Sequence, residues 1–430
     1  MPDIAPPIRE GVARRRLYVF SPLPPQRNGL ADYIVEYLPL LARDFQVCVV
    51  SESGHAAETR RAMEQMPHVE VVSEAHFLAR QPDRQAQVLY NVGNNGDCAY
   101  MLDHVHQFPG AVIIHDVSLF YLHQVAAQQS RSNAIMGAWL AADDYAVPTD
   151  FLHGDGSLAK TPGLVYQECL MVKRLCQSAQ GVMVHTAYAE RRLRGGATGV
   201  ALGHSQGRPL LRMPHFVLPP PPPTDAAQVA EVLARYAIQP EDFLILVPGF
   251  LSGNKMLYEI LMAFREASAQ GHPDMKLLFA GEEREQEYRL SERINALWPT
   301  GIRPQVTGYL SAQDLDILLG RADLSLVLRF PTYGESSGIL PRAAMGGGDV
   351  ITVNIGAYPE FESAAVQTIP VGAGAVAALT DGLLRSHAQR GRGEARQSRQ
   401  NKEATQAKAL SPQALYPRLR QWLDDVWAMQ

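Results

Sequence analysis

The sequence predicts an α/β protein built from two parallel-sheet units, and three observations carry this prediction. Short apolar runs alternate with segments of helical periodicity along most of the chain, as in β-α units. The alternation is interrupted at MPHFVLPPPPPTD (213–225), whose five consecutive prolines favour a stiff, extended connector. A chain of 430 residues is also too long for one domain of ordinary size, because domains usually hold roughly 100–200 residues.

The apolar runs place the strands and helices of the two units in order. The first unit opens with a buried strand at 16–20, and a helix follows at 31–45. Its further strands are predicted at 46–51, 87–92, 110–116 and 181–186. The strands of the second unit are predicted at 243–250, 275–282, 303–310, 324–330 and 348–354. The tail at 415–429 has helical spacing, and one buried face is formed by Leu419, Trp422, Leu423 and Val426.

Composition and charge narrow the class of protein. A net charge of −5 gives no basic footprint for nucleic acid. The chain has no run of about 18 apolar residues and no signal peptide, so we expect no transmembrane helix and a cytoplasmic location. Four cysteines without a CxxC pair predict buried thiols in a reducing compartment, not a zinc knuckle or a disulfide framework: Cys48, Cys98, Cys169 and Cys176.

Three turns that follow predicted strands could approach a phosphate group. SPLPPQRNGLADY (21–33) carries Gly29 between the first strand and the first helix, but it is not GxGxxG, and the chain has no GxxxxGK[ST]. GFLSGNK (249–255) ends the first strand of the second unit and presents Lys255, which alone would be an ordinary surface charge. A second anion-attracting turn at Glu335–Gly338, just ahead of a predicted helix, makes Lys255 a candidate diphosphate clamp.

Taken together, these blocks resemble a retaining glycosyltransferase of the large family four. The resemblance covers nearly the whole chain, and its most specific parts are VTGYLSAQDLDILLGRADLSLVLR (306–329) and GESSGILPRA (334–343). The other blocks are SPLPPQRNGLADY, YNVGNN (90–95), IIHD (113–116), VMVHTAYAE (182–190), GFLSGNK and LLFAGE (277–282). The resemblance implies the GT-B fold, in which two Rossmann-like parallel-sheet domains face each other across a cleft and the C-terminal helix returns to the first domain.

On this basis the chain divides into four segments. We predict a Rossmann-like acceptor-side domain at 1–218, a proline-rich linker at 219–240, and a donor nucleotide-sugar-binding domain at 241–385. A polar connection and the C-terminal helix, packed back on the first domain, occupy 386–430. The arginine-rich stretch at 386–411 is more simply a solvated connection than a nucleic-acid patch.

The resemblance also implies roles for individual residues. Glu335 matches the first acid of the E-x7-E motif, which contacts hydroxyl groups of the donor sugar. Lys255 matches the lysine that neutralises the departing pyrophosphate, and His115 matches a histidine near the transferred sugar. These three residues are the predicted catalytic set. The predicted donor-binding residues are Gly29, Gly253, Ser336, Ser337, Gly338 and Arg342.

Two departures from the family pattern leave questions open. The second acid of E-x7-E falls on Ala343, and Arg342 beside it is the residue that could compensate. The turn before Lys255 also lacks the basic residue that is common there. Each role has a structural alternative as well: Glu335 could cap the following helix, and His115 with Asp116 could be a packed core pair. His185 and Thr186, at the end of a later strand, are more simply structural.

The resemblance implies a UDP- or GDP-sugar as donor substrate, no cofactor and no metal. The DLD stretch at 314–316 resembles a metal-binding motif, but it lies inside a helical pattern, where solvated carboxylates are the simpler interpretation. The acceptor would be a glycan, a lipid-linked molecule or a protein, with peripheral contact at the inner face of the membrane. Two other classes remain open: a catalytically inactive nucleotide-sugar-binding relative, and an oxidoreductase or epimerase, against which the absent glycine fingerprint counts.

Overall fold

We analysed a computed structural model of the protein. It describes residues 14–80, 86–130, 134–143, 169–195, 208–218, 225–283, 288–299, 303–390 and 407–428, together with residues 82 and 405. The proline run at 219–223 and most of the polar stretch, at 391–404, lie outside these residues.

The chain forms two compact units, and the first of them is discontinuous. Unit 1 contains Met1–Pro214, Tyr333–Ser336 and Pro412–Gln430. Unit 2 contains His215–Thr332 and Ser337–Ser411. The short segment Tyr333–Ser336 therefore belongs with unit 1, although the sequence on both sides of it belongs to unit 2.

Unit 1 is built on a seven-stranded sheet in which neighbouring strands run parallel, in the order β3-β2-β1-β4-β5-β6-β7. Its strands are β1 Arg15–Phe20, β2 Phe45–Ser51, β3 Val69–Ser73, β4 Gln87–Val92, β5 Ala111–Ile114, β6 Gly181–Val184 and β7 Leu210–Arg212. The central strands are buried on both faces because helices cover the sheet, which explains their unbroken runs of valine, leucine and isoleucine. The strand order reverses between β1 and β4, and such a reversal opens a crevice at the carboxyl ends of the strands.

Helices connect the strands of unit 1. They are α1 Gly29–Asp44, α2 Ala56–Ala62, α3 Glu74–Ala79, α4 Met101–Gln107, α5 Phe120–Gln129, α6 Ala134–Ala142, α7 Lys173–Ser178 and α8 Ala187–Arg194, with a 3-10 turn at Gly96–Cys98. Helix α1 begins at Gly29 because the Asn28 side chain accepts a hydrogen bond from the backbone N–H of Ala31 at 2.9 Å. The cap fixes the point at which the chain turns from β1 into the helix.

Unit 2 repeats the plan with a six-stranded parallel sheet in the order β10-β9-β8-β11-β12-β13. Its strands are β8 Phe243–Pro248, β9 Met275–Ala280, β10 Gln305–Val306, β11 Leu324–Val327, β12 Asp349–Val353 and β13 Val366–Ile369. Its helices are α9 Ala226–Arg235, α10 Leu257–Ser268, α11 Leu290–Leu297, α12 Ala312–Arg321, α13 Ile339–Met345 and α14 Ala375–Ala388, with 3-10 turns at Gly253–Lys255 and Tyr358–Glu360.

The last helix, α15 (Pro412–Ala428), completes unit 1. Its apolar face is buried, as the spacing of Leu419, Trp422, Leu423 and Val426 predicts. The Tyr416 hydroxyl donates a hydrogen bond to the Asp44 carboxylate at the end of α1, at 2.7 Å. Packing is close on the sheet side, where a Cβ added to Gly181 would lie 2.3 Å from a Val426 methyl group. Burial of this face, not helix propensity alone, holds α15 in place.

The predicted α/β class is confirmed, and each predicted strand is present, although several are shorter than predicted. The run at 303–310 keeps only the two residues of β10. The prediction omitted β3, β7 and β13, which are edge strands of the two sheets. Edge strands are short and partly exposed, so their sequences lack the long apolar runs of central strands.

The cysteine prediction holds for three of four residues. Cys48, Cys98 and Cys176 are buried free thiols, whereas Cys169 is only partly buried. Within the described ranges, no helix has the length and apolar character needed to cross a membrane.

Candidate functional site

In unit 1, His115 follows strand β5 at the carboxyl edge of the sheet. Its backbone N–H donates to the carbonyl of Val92 at 2.9 Å, and its Nε2 lies 2.6 Å from Oδ1 of Asn91. The Asn91 Nδ2 donates to Ser21 and to the carbonyl of Leu30, so Oδ1 is the accepting atom of this amide. Because Oδ1 accepts, Nε2 of His115 is the donor in this contact.

Aromatic rings surround His115. The Tyr33 ring lies edge-on to it, with centroids 4.4 Å apart, and the His185 ring lies at 4.7 Å. Burial raises the pKa of Tyr33 well above its ordinary value, so its hydroxyl stays protonated. His185 Nδ1 is bonded to the carbonyl of Met213 at 3.0 Å, which fixes the orientation of this second buried histidine.

Glu335 lies beside the residues that follow β5. It forms an antiparallel backbone bridge with Asp116, and the N–H of Ser336 donates to the carbonyl of His115 at 3.1 Å. The Glu335 side chain is buried, and its Oε2 accepts a hydrogen bond from the backbone N–H of Tyr333 at 2.6 Å. Two predicted catalytic residues of unit 1, His115 and Glu335, are thus brought together through the backbone.

The capping role considered for Glu335 falls to another residue. Helix α13 begins at Ile339, four positions after Glu335, and its first-turn N–H of Leu340 is bonded to the Ser337 hydroxyl at 3.2 Å. The described bond of the Glu335 carboxylate is to Tyr333 instead. Among the described contacts, it is thus Ser337 that bonds the first turn of α13.

Two glycines of unit 1 are required by the fold, and a third is not. A Cβ on Gly93 would lie 2.8 Å from the Asp116 carboxylate, which accepts the N–H of Asn94 at 2.7 Å. Gly334 has φ +71°, and its Cβ would lie 2.2 Å from a Val117 methyl group. By contrast, a Cβ on Gly29 would meet no described atom within 4 Å, so the space in front of it is open to a ligand.

We predict that Gly334→Ala destabilises unit 1 by about 1–3 kcal/mol, because it combines a positive φ with a steric clash. Chemical denaturation followed by circular dichroism measures the change. Gly54→Ala is the matched control, since its Cβ would meet nothing within 4 Å. Equal stability of the two variants would show that residues 333–336 do not pack on Val117.

In unit 2, Lys255 lies in the turn between β8 and α10. Its Nζ donates to the carbonyl of Pro248 at 2.5 Å, and the side chain is only 5% exposed. Gly249 has φ +91°, and a Cβ there would lie 3.0 Å from the ammonium. Met256 also adopts a left-handed conformation, with φ 54°, directly after the lysine. Glycine adopts a positive φ without strain, so the strained position at this turn is Met256, directly after the buried cation.

Asn254 ties this turn to the end of β11. Its Oδ1 accepts hydrogen bonds from Ser252 Oγ at 2.7 Å and from Arg329 Nη1 at 3.1 Å. Its carbonyl accepts the N–H of Phe330 at 2.7 Å. The predicted donor-binding residue Gly253 lies beside it, and a Cβ there would meet nothing within 4 Å.

The remaining predicted donor-binding residues of unit 2 lie at the start of α13. A Cβ on Gly338 would come within 3.2 Å of the His215 ring, whose pKa burial lowers, so that it is neutral near pH 7. Arg342 donates through Nε to Asp316 at 2.6 Å and through Nη2 to the carbonyl of Ala312. Ala343, which the resemblance aligns with the second motif acid, is buried.

The DLD carboxylates are partly exposed, and each forms an ion pair that the sequence did not predict. Asp316 pairs with Arg342, and Asp314 pairs with Arg235 at 3.0 Å. These contacts join α12 to α13 and α9. They explain the two aspartates by their structural role in packing these helices.

One cluster among the described residues has the composition of a metal site. Ligand atoms of His272, Asp274 and His387 all lie within 4.8 Å of one another. However, Asp274 is bonded to His387 at 2.9 Å and to Arg390 at 3.1 Å. A guanidinium so close to the carboxylate opposes a second cation, so we treat the cluster as an ion-pair network.

Sequence reasoning missed Asn91, Asn254 and Arg329. Asn91 is wholly buried in a strand of apolar residues, and a polar residue inside such a run is a signal that could have been used. The contact between Asn254 and Arg329 joins residues 75 positions apart, and no local pattern indicates it.

Comparison with known proteins agrees with this architecture. Residues 229–405 match the model of the family described as glycosyl transferases group 1. No curated protein matches the chain.

Three solved structures illustrate the similarity. HepE of Anabaena, solved with UDP and glucose, is 13% identical, with a TM-score of 0.62, covering 96% of this chain and 100% of HepE. Sucrose-phosphate synthase of Thermosynechococcus elongatus is 14% identical, with a TM-score of 0.61 and coverage of 97% and 100%. WaaG, a glycosyltransferase involved in lipopolysaccharide biosynthesis, is 14% identical, with a TM-score of 0.58 and coverage of 92% and 97%. These likenesses confirm the predicted GT-B fold.

Proposed function

Because residues 229–405 match the model of the glycosyl transferases group 1 family, we propose that the protein moves a sugar from a nucleoside-diphosphate sugar to a hydroxyl acceptor. The anomeric configuration would be retained. The observation that carries this proposal is the buried ammonium of Lys255, held at the carboxyl end of β8 directly before the left-handed Met256. Ligands of open parallel sheets bind at this edge.

Lys255 would act on the leaving group. When the bond between the anomeric carbon and the phosphate oxygen breaks, negative charge grows on the nucleoside diphosphate. A preorganised cation that meets this charge lowers the barrier, because it needs no reorganisation during the reaction. The acceptor hydroxyl then attacks the sugar from the face that the phosphate leaves, and its proton passes to the departing phosphate oxygen.

Glu335 and His115 would hold the sugar. The bond from Tyr333 to Oε2 orients the Glu335 carboxylate, which can accept hydrogen bonds from sugar hydroxyl groups. The Asn91 contact fixes the orientation of the His115 ring. The backbone bond between Ser336 and His115 keeps the two side chains in a constant relation. Gly29, Gly253, Ser336, Ser337, Gly338 and Arg342 remain the proposed donor-binding residues.

The proposal extends to the donor nucleotide, the biosynthetic role and the cellular location. HepE was solved with UDP and glucose, and on that likeness we propose a UDP-sugar first and a GDP-sugar second. WaaG acts in lipopolysaccharide biosynthesis, which supports a role in glycan or polysaccharide synthesis. We place the enzyme in the cytoplasm, including the inner face of the membrane, where lipid-linked acceptors are found.

A second candidate is a nucleotide-sugar-binding relative without activity. Ala343 favours it, because a buried methyl group replaces the acid of the family motif and Arg342 is bonded to Asp316. Incubation of the purified protein with UDP-, GDP- and ADP-sugars separates the two candidates. Thermal stabilisation with donor hydrolysis supports the transferase, and stabilisation without hydrolysis supports the inactive relative. If no sugar nucleotide stabilises the protein and none is hydrolysed, both candidates are overturned.

We predict that transfer survives excess EDTA, because Lys255 and backbone N–H groups offset the negative charge of the diphosphate that a metal would otherwise neutralise. The measurement is donor turnover before and after chelation, with a metal-dependent transferase as the positive control. Complete loss of turnover that Mn²⁺ restores would contradict charge neutralisation by the protein alone.

A further inference from the structure

His185 and His115 occupy the same register position on neighbouring strands. Each residue directly follows its strand, β6 or β5, and these strands pair in parallel with Val184 opposite Ile114. Because side chains alternate between the two faces of a sheet, residues at one register position share a face. The two imidazole rings therefore meet at the carboxyl edge of the unit 1 sheet, with their centroids 4.7 Å apart.

Both imidazoles are buried, and a tyrosine ring from α1 packs against them. His185 is 5% exposed, and His115 is 7% exposed. The Tyr33 ring lies edge-on to His115, and its centroid is 5.4 Å from that of His185. The Asn91 amide and two packed rings thus hold His115, and loss of either ring would leave a gap into which His115 can turn.

A hydrogen bond ties the His185 ring to the backbone that follows β7. Its Nδ1 lies 3.0 Å from the carbonyl oxygen of Met213, and because a carbonyl only accepts, Nδ1 is the donor. Met213 in turn donates its N–H to the carbonyl of Val184 at 2.9 Å. The ring that packs on His115 is therefore itself fixed by a second strand.

The next residue, Thr186, has a structural role that does not extend to His185. The Thr186 hydroxyl accepts the backbone N–H of Ala189 at 3.1 Å and so caps α8. This cap explains the threonine but does not require an imidazole at position 185. The contact of the His185 ring is with His115, the residue proposed to hold the sugar.

We propose that His185 is a positioning residue for sugar transfer, which holds the His115 ring in the orientation that the transferred sugar requires. The inference rests on the proposed function, because His185 acts through a residue that is assigned to the sugar there. A misplacement of about 1 Å can lower a reaction rate about 100-fold, so a partial release of His115 should lower it about 10-fold.

The test is a double-mutant cycle between His185→Asn and His115→Ala. The asparagine amide can still donate to the Met213 carbonyl, but no ring remains to pack on His115. Hydrolysis of UDP-, GDP- and ADP-glucose is measured on the full chain, and the donor that the wild type hydrolyses fastest is used for every variant. We expect His185→Asn alone to lower kcat per folded molecule about 10-fold, while the affinity for the bare nucleoside diphosphate changes less than about 2-fold.

The other arm of the cycle distinguishes positioning from a structural role. When His115 is already alanine, His185→Asn should lower kcat by less than a further 2-fold or so, because its effect passes through the His115 ring. The same loss in both backgrounds would overturn the inference. So would an affinity for the bare nucleotide that falls as far as kcat does.

His123→Asn is the matched control. His123 is also 5% exposed, its Nδ1 also lies near a backbone carbonyl, that of Leu119, at 2.9 Å, and its ring packs on Trp139. This variant should lose stability much as His185→Asn does, yet keep kcat per folded molecule within about 2-fold of the wild type.

His185→Phe replaces His185→Asn if the latter does not fold. It keeps a ring against His115 but loses the bond to Met213. Its loss of kcat should be smaller, and it should likewise disappear when His115 is alanine.

The outcomes separate this inference from the proposed function. Equal losses in the two backgrounds overturn the role of His185 and leave the transferase intact, because the wild type still hydrolyses the donor. Full activity of His115→Ala would overturn the roles of both histidines but not transfer itself. If the wild type hydrolyses none of the sugar nucleotides, the proposed function falls together with this inference.

Discussion

Replacing Glu335 by glutamine is expected to lower sugar transfer at least about 100-fold, while bare nucleoside diphosphate binds nearly as well as before. The amide oxygen can still accept the N–H of Tyr333, so the segment 333–336 should keep its place on unit 1. What the amide loses is charge. Hydrogen bonds to an ionised acceptor are about twice as strong as neutral ones, and a weakly held sugar is misplaced relative to the acceptor.

The decisive measurement compares two ligands in the same variant. Affinity for the nucleotide-sugar should fall, whereas affinity for the bare nucleotide, which lacks the sugar, should not. Thermal unfolding should show a cost of only about 1 kcal/mol. Glu70→Gln is the control, because it removes a paired carboxylate from edge strand β3 of the same unit and should change activity less than about 2-fold. If the affinities for both ligands fall equally, Glu335 has a structural role and does not bind the sugar.

Replacing Lys255 by alanine is expected to remove about 2–4 kcal/mol of transition-state stabilisation, which lowers kcat/KM roughly 30- to 1000-fold. The lysine is buried, and its bond to the Pro248 carbonyl keeps the ammonium at the edge of the sheet. Because the negative charge that it faces increases as the leaving group departs, kcat should fall more than the donor KM rises.

Two further variants isolate the charge of Lys255 from its bulk. Lys255→Met fills the same space without the ammonium and should be as slow as Lys255→Ala. Lys276→Met is the control, since Lys276 also donates to a backbone carbonyl, that of Ala237, but lies near the amino end of β9. If Lys255→Met keeps wild-type turnover, the ammonium does not contact the leaving group.

Much of the fold was predictable because central strands of parallel sheets are buried on both faces. Such burial requires unbroken apolar runs, as in β8, and these runs are visible in sequence. Edge strands escape this requirement, so β3 and β13 were missed. The shortening of β10 to two residues has the same cause, since β10 is the other edge of the unit 2 sheet.

The candidate site likewise contains residues that the sequence could predict and residues that it could not. The positions of Lys255 and His115 after strands, at the edge where ligands of parallel sheets bind, were predictable. Their partners were not, because contacts such as that between Asp116 and Glu335 join residues far apart in the chain. The pairing of Asp314 with Arg235 likewise depends on how α9 and α12 meet, which no local pattern fixes.

The discontinuity of unit 1 has a consequence for its synthesis on the ribosome. Helix α15 closes this unit, yet roughly 200 residues separate Pro214 from Pro412. At about 5–20 residues per second, the surface that α15 covers stays bare for about 10–40 s after the rest of the sheet has emerged. The nascent chain therefore exposes the apolar site of Trp422 and Val426 throughout the synthesis of unit 2, which makes this intermediate a substrate for chaperones that bind nascent apolar surface.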